Sequence, residues 1–137
     1  MSRMWCWITG KGQVEVENPT TTQIATWIGN LDGKQRDHIH FEVPIGQLSI
    51  FGGIGDSGRI KLPFTDRRTN RGGLIYDPQD EYDSRLISIS DNSPISEPIE
   101  IGLTLTKERA FEILVYLLEH QKFPKGLKWR GGNLNEY

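Results

Sequence analysis

Apolar positions along this chain follow two periods, one typical of helices and the other typical of strands. The first helical stripe consists of Ile24, Trp27, Ile28 and Leu31. Thr20 precedes the stripe and Gln23 follows three residues later, a capping box that satisfies unpaired backbone N–H groups at a helix start. Asp32 and Gly33 follow the stripe, and glycine suits the left-handed residue after a helix. We therefore predict a helix that begins after Thr20 and ends at Asp32 and Gly33.

A second helix is predicted near the carboxyl end of the chain. Its apolar stripe consists of Phe111, Leu114, Val115 and Leu118. Thr106 is a suitable N-cap, and Glu108 lies in the first turn, where the helix dipole favours negative charge. We expect this helix to end near residues 120–122. A turn and a short apolar anchor over residues 123–129 follow it, with Trp129 locking the helix end onto the sheet.

Several segments alternate apolar and polar residues, the pattern of antiparallel strands with one buried face. These segments are residues 3–9, 13–17, 39–43, 47–51, 59–64, 74–76, 87–89 and 99–105. Two one-sided helices and such strands can bury each other in two layers. We predict an α+β fold, an antiparallel sheet of about six to eight strands with two amphipathic helices packed on one face. Residues 1–137 are expected to form a single domain, with a loose tail over residues 131–137.

Charge and cysteine content narrow the functional classes. The chain has 16 basic and 18 acidic residues and a net charge of −2, a balance that argues against a nucleic-acid or membrane surface. Cys6 is the only cysteine, which excludes an internal disulfide and a cysteine-based zinc site. No apolar run suits a signal peptide or a membrane span. We therefore expect a cytoplasmic protein.

The turn from Gly53 to Gly58 spells G-x-G-x-x-G, the lettering of a phosphate-binding loop. Such a loop needs a strand before it and a helix after it. Here an alternating, strand-like segment follows from Arg59, so we interpret the turn as a connection between two strands. The alternative is a small nucleotide- or ligand-binding module that uses this turn and the basic loop of residues 65–73.

Three residues on one predicted strand are a possible metal set. His38, His40 and Glu42 alternate along the strand, so their side chains share a face. Such ligands suit a metal-dependent hydrolase, which stays an alternative. We favour a solvated strand face, and we predict no catalytic, metal-binding or cofactor-binding residues.

An acidic stretch contains Asp77, Asp80, Glu81 and Asp83, four acids in seven residues. Open loop carboxylates at this spacing do not resemble a tuned acid–base pair. They fit either a solvated loop or a patch that binds a partner.

Three motifs in the predicted scaffold occur in a characteristic order: the helix end at residues 31–33, the strand and glycine-rich turn at residues 48–58, and the anchor at residues 123–129. Their marker residues are Leu31, Asp32, Gly33, Gly52, Gly53, Gly55, Gly58, Pro124, Leu127 and Trp129. Together, over residues 20–129, these motifs resemble immunity protein family one of bacterial polymorphic toxin systems.

The resemblance implies a non-enzymatic antitoxin that binds the catalytic domain of a cognate secreted toxin and needs no cofactor. Many toxins paired with this family are nucleic-acid deaminases. Such an enzyme usually has a basic rim, so the acidic stretch is expected to imitate phosphates and bind the toxin through Asp77, Asp80, Glu81 and Asp83. We expect a monomer in the absence of the toxin.

Overall fold

A computed structural model describes residues 2–8, 10–32, 38–53, 58–78, 81–89, 98–134 and 137. In chain order, the elements are β1 (Arg3–Ile8), β2 (Gly12–Glu17), α1 (Thr21–Gly29), β3 (His38–Val43), β4 (Gly46–Gly52), β5 (Arg59–Asp66), β6 (Gly72–Tyr76), β7 (Leu86–Ser88), β8 (Pro98–Glu100), β9 (Leu105–Thr106), α2 (Lys107–His120) and β10 (Lys128–Trp129). Neither described helix is long and apolar enough to cross a membrane.

The strands form one large antiparallel sheet and one small one. The large sheet has eight strands in the order β10-β6-β5-β4-β3-β1-β2, with β9 paired to β5. The pairings are antiparallel throughout. Strands β7 and β8 form a separate two-stranded sheet. The α+β fold predicted from the sequence is confirmed.

The register of the central strands gives the large sheet one buried face. Met4 lies opposite Phe41, which lies opposite Leu48, which in turn lies opposite Phe64. All four side chains are at most 1% exposed. They join α1 and α2 residues in a single apolar cluster. The helices therefore cover the face that the period-two pattern predicts to be apolar.

Both helix starts follow the prediction, whereas the end of α1 does not. The Thr20 hydroxyl accepts from the Gln23 N–H, and the Gln23 side chain accepts from the Thr20 N–H. Helix α1 ends at Gly29, earlier than the predicted Asp32 and Gly33. The Lys107 ammonium donates to the carbonyls of Gly29 and Leu31, at 3.3 and 2.7 Å. Contacts from a distant residue thus satisfy the carbonyls at this helix end.

The glycine-rich turn connects two strands, as the sequence predicts. Strand β4 leads in, β5 leads out, and the two pair antiparallel. The Gly58 N–H donates to the Gly53 carbonyl at 3.1 Å. At Gly52, φ is +127° and a Cβ would lie 2.5 Å from the Arg59 carbonyl oxygen. Backbone approach between the strands requires this glycine. Residues 54–57, including Gly55, lie outside the described residues, as does Gly33.

The segment of residues 99–105 differs from the single strand that its alternation predicts. It contains the end of β8, a 3-10 turn at Ile101–Leu103 and then β9. The Thr104 N–H and hydroxyl both donate to the Ile101 carbonyl, which closes the turn. Period-two alternation was therefore the wrong indicator here, because local hydrogen bonds within the turn displace the pairing of a strand.

The carboxyl end packs on the core, whereas a loose tail was expected from its polar composition. Leu134 is buried. The Tyr137 ring lies 5.8 Å from Phe64 and 6.0 Å from Trp129 between centroids. Trp129 belongs to β10, which pairs with β6, and it is buried as predicted. The Trp129 indole N–H lies 3.2 Å from the Phe64 carbonyl and 3.0 Å from the Gly73 carbonyl. Leu134 and Tyr137 thus hold the carboxyl end on the core.

We predict that Trp129→Phe lowers the free energy of unfolding by about 1–3 kcal/mol, because two backbone carbonyls lose a buried donor. Urea denaturation followed by circular dichroism measures the change. The same replacement at half-buried Trp27 is the control and is expected to cost less. Equal losses at the two positions would contradict the role assigned to the indole N–H.

Candidate functional site

The face of the large sheet opposite the helices carries a row of rings, which we call the ring row: Trp5, His38, His40 and Phe51. His38 is buried and the other three are half-buried. Trp5 lies opposite His40, and His38 lies opposite Phe51. Ring centroids are 5.3 Å apart for Trp5 and His40, 5.1 Å for the two histidines and 5.9 Å for His38 and Phe51. The period of the strands places these rings opposite the core, where they contact one another across three strands. Trp5 stacks on His40 and His38 stacks on Phe51, whereas the two histidines meet edge to face.

A cation lies over each end of the ring row. The Arg3 guanidinium is 4.5 Å from the Trp5 ring, and the Lys61 ammonium is 5.4 Å from the Phe51 ring. Both distances suit cation–π attraction.

The His40 imidazole is held in its neutral form. Its Nδ1 lies 2.9 Å from the Ser49 hydroxyl oxygen. Burial lowers the pKa of His40 from 6.5, and the neighbouring His38 lowers this pKa further. A proton on His40 therefore opposes the native packing of the ring row.

The structure separates the third member of the possible metal set from the two histidines. Arg3 lies 3.3 Å from the Glu42 carboxylate and Arg67 lies 3.8 Å from it. Across the described part of the chain, no three His, Cys, Asp or Glu side chains are placed to hold a metal ion. The geometry of His38, His40 and Glu42 therefore gives no support to a metal-dependent hydrolase.

The glycine-rich turn and the basic loop do not converge on one ligand site. Gly58 precedes β5 and Arg67 follows it. This strand has eight residues, so at about 3.3 Å per residue its ends lie roughly 25 Å apart. Arg67 also donates to the Val43 carbonyl at 3.1 Å. A single nucleotide cannot use both features at this separation.

The predicted toxin-binding acids are distributed between internal ion pairs and solvent. The Asp77 carboxylate accepts from Arg109 on α2 at 3.0 and 3.3 Å. Asp83 accepts from Arg85 at 2.7 Å, and this hydrogen bond lowers the pKa of Asp83 to about 2. Glu81 is exposed, and Asp80 lies outside the described residues. Of the described acids, Glu81 thus remains available to a partner without loss of an ion pair.

Two exposed apolar side chains beside these acids were missed from the sequence. Leu86 is 63% exposed and Tyr82 is 41% exposed, and both border the small sheet. Leu86 lies opposite Glu100, and the Tyr82 hydroxyl donates to the Glu100 carboxylate at 2.6 Å. We call Tyr82, Leu86, Glu100 and the adjacent Glu81 the Tyr82–Leu86 patch. The sequence feature that could have indicated this patch is Tyr82, a large aromatic residue inside an acidic, turn-rich stretch.

The Tyr82 ring is fixed by its support. A Cβ at Gly102 would lie 2.3 Å from the ring, so this glycine allows the ring to lie against the 3-10 turn. Burial and the neighbouring Glu100 raise the pKa of Tyr82, so it stays a hydroxyl donor at neutral pH. A rigid aromatic side chain loses little conformational entropy when a partner covers it.

The described marker residues of the predicted family scaffold lie in buried or turn positions, whereas Gly33 and Gly55 lie outside the described residues. Asp32 forms an isolated β-bridge with Gly53, which joins the end of the first helical segment to the glycine-rich turn. Leu31, Leu127 and Trp129 are buried. Pro124 is half-buried in the turn between α2 and β10. These residues build the scaffold and leave the Tyr82–Leu86 patch and the ring row as candidate contact surfaces.

No protein-family model matches this chain, and no curated protein matches it significantly. The resemblance to immunity protein family one therefore stays a prediction.

We predict that stability declines as pH falls below about 6.5, where an unfolded histidine gains its proton. Because the pKa of His40 is lowered in the native state, the unfolded chain binds more protons between 6.5 and that lower value. The His40→Gln variant is expected to lose part of this slope in urea denaturation between pH 5 and pH 8.

The control for this measurement is His120→Gln, at the exposed end of α2. It is expected to keep the wild-type slope. If His40→Gln leaves the slope unchanged, His40 is not the source of the pH dependence.

Proposed function

We propose that this chain is an immunity protein that neutralises a cognate bacterial toxin by tight complex formation in the cytoplasm. The observation that carries the proposal is the Tyr82–Leu86 patch, an exposed apolar pair among carboxylates. The three scaffold motifs support it, since they occupy buried and turn positions in the order that immunity protein family one shows.

An exposed tyrosine held against the 3-10 turn is the residue of the patch that suits a binding hot spot, and Leu86 adds apolar surface beside it. The described residues expose only these two large apolar side chains beyond one third of their surface, and both lie at one small sheet. Tyrosine is enriched among the residues that dominate binding energy, whereas single exposed aliphatic groups on monomers are common. Their clustering favours a contact surface.

The carboxylates around the patch support a toxin that acts on nucleic acid as the partner. Glu81 is exposed, and Glu100 accepts the Tyr82 hydroxyl bond while facing Leu86. Arg85 offsets the nearby Asp83, and Arg130 is a second cation beside Tyr82. Glu81 is therefore the exposed, unpaired carboxylate that the patch offers to a cationic partner. A nucleic-acid-processing enzyme has a cationic substrate channel, and carboxylates at its rim would attract it during encounter.

Neutralisation by this route requires no chemistry from the inhibitor. The apolar pair would fill the mouth of the substrate channel, and the carboxylates would occupy the places of substrate phosphates. Arg59 of the large sheet holds the segment that follows Glu100, because its side chain donates to the Thr104 hydroxyl and, at 3.1 Å, to the Thr104 carbonyl. Pre-organisation lowers the entropy lost on binding.

The first test is co-expression with the toxin domain encoded by the neighbouring reading frame. We predict that the wild-type chain restores growth and binds that domain in calorimetry, whereas Leu86→Ala and Tyr82→Ala weaken binding by about tenfold or more each. Tyr116→Ala, on partly exposed α2 surface, is the matched control and is expected to keep wild-type affinity. Absence of any complex with the wild-type chain would overturn the proposed function.

We also predict different consequences for two acids of the acidic stretch. Glu81→Lys is expected to slow association with the toxin several-fold at low salt and to leave the stability of the free chain unchanged, because its carboxylate is exposed. Asp77→Asn is expected to lower stability instead, because it breaks the Arg109 pair. Stopped-flow binding at two salt concentrations and thermal melts measure these effects. An association rate independent of residue 81 would exclude electrostatic steering by this stretch.

A further inference from the structure

Strand β2 is the longest unpaired edge in the described part of the large sheet. It pairs with β1 on one side and ends the strand order on the other. At the opposite end of the sheet, β10 has only two residues. Strand β2 has six, which is long enough for a second strand to pair along it.

The outward backbone groups of β2 belong to alternate residues. The Asn18 N–H donates to the Ser2 carbonyl at 2.8 Å, and this bond continues the β1–β2 register. Hydrogen-bonded pairs alternate in an antiparallel ladder, so Val14 and Val16 bond to β1. The N–H and C=O groups of Gln13, Glu15 and Glu17 then point away from β1, toward the open edge.

Glu15 and Glu17 place negative charge on this edge, which restricts the partners that can pair with it. Residues 13–17 contain no proline and no left-handed residue. Val14 and Val16 face the core but are only partly buried. The helices thus leave apolar surface at the edge that a further strand would cover.

We propose that β2 pairs antiparallel with β2 of a second copy of this chain, centred on Val14. A hydrogen-bonded pair across the new interface needs two residues whose backbone N–H and C=O groups both point toward the open edge. The Val14 register meets this condition, because it joins Gln13 of one copy to Glu15 of the other. Lys11, in the turn before β2, then lies level with Glu17 of the second copy, and both side chains are exposed. The dimer has two such opposite-charge pairs by symmetry.

Neighbouring registers are less favourable. Pairing centred on Glu15 places the two Glu15 carboxylates directly opposite each other, and pairing centred on Val16 places Glu15 opposite Glu17. Like charges at opposed positions destabilise a strand pair. Pairing centred on Gln13 would set Lys11 opposite Glu15 but would pair only residues 12–14 of each β2, whereas the Val14 register pairs residues 12–16. Charge and paired length together therefore select the Val14 register, which joins two eight-stranded sheets into one. A monomer was expected from the sequence, which does not reveal that β2 is an edge.

Sedimentation velocity of the full chain at low salt tests the pairing. One strand pair buries little surface, so the dimer is expected to be weak. The protein concentration in the experiment is therefore raised to on the order of 100 µM. The wild type is expected to shift from monomer to dimer with concentration. Lys11→Glu and Glu17→Lys should each weaken the dimer by about tenfold, and the double swap should restore it.

Two further variants keep the test specific. Gln13→Pro removes an outward N–H, which an edge strand tolerates, so it should abolish the dimer while circular dichroism stays native. Lys125→Glu, in an exposed turn, is the charge-matched control and should dimerise normally. A wild type that stays monomeric throughout, or a dimer indifferent to Lys11→Glu and Glu17→Lys, overturns the proposal. The Tyr82–Leu86 patch lies in the other sheet, so this outcome is independent of toxin binding.

Discussion

Register-matched alternation across β1, β3, β4 and β5 decides which side chains the helices cover. Phe41 lies between Met4 and Leu48 in this register, and each is almost completely buried. A slip of one residue would turn this set to the opposite face and bring Trp5 and His40 under the helices. Burial of the apolar set under the helices and placement of the ring row on the opposite face are therefore one constraint. The Lys107 contact with the end of α1 and the Asp32–Gly53 bridge fix the helical layer on that face.

The sequence predicted the elements whose determinants are local. The Thr20–Gln23 capping box, the Thr106 cap and the strand-to-strand glycine turn depend on residues a few positions apart, and the structure contains all three. Alternation also sufficed for the large sheet. Alternation did not predict the structure of residues 99–105, because a strand and a 3-10 turn both allow apolar residues at every second position.

The candidate surfaces depend on contacts that sequence spacing does not show. Asp77 is paired with Arg109, which lies 32 residues away, so four acids in one stretch do not amount to four available charges. Tyr82 is supported by Gly102 and bonded to Glu100, neither of which is near it in sequence. The C-terminal tail is a similar case, since the rings of Phe64 and Trp129 give Tyr137 a place to pack.

These contacts separate the residues that hold the fold together from the residues that face solvent. Residues that join the two layers, such as Leu31, Gly52 and Trp129, are fixed by close packing or backbone approach. Glu81 and Leu86 face solvent and make little contribution to stability, so replacing them alters recognition at low cost to folding. Asp77 lies between these classes, because its charge is already used by Arg109. The proposed role as an inhibitor of one particular toxin would use this separation, since the contact surface could change while the sheet register stays constant.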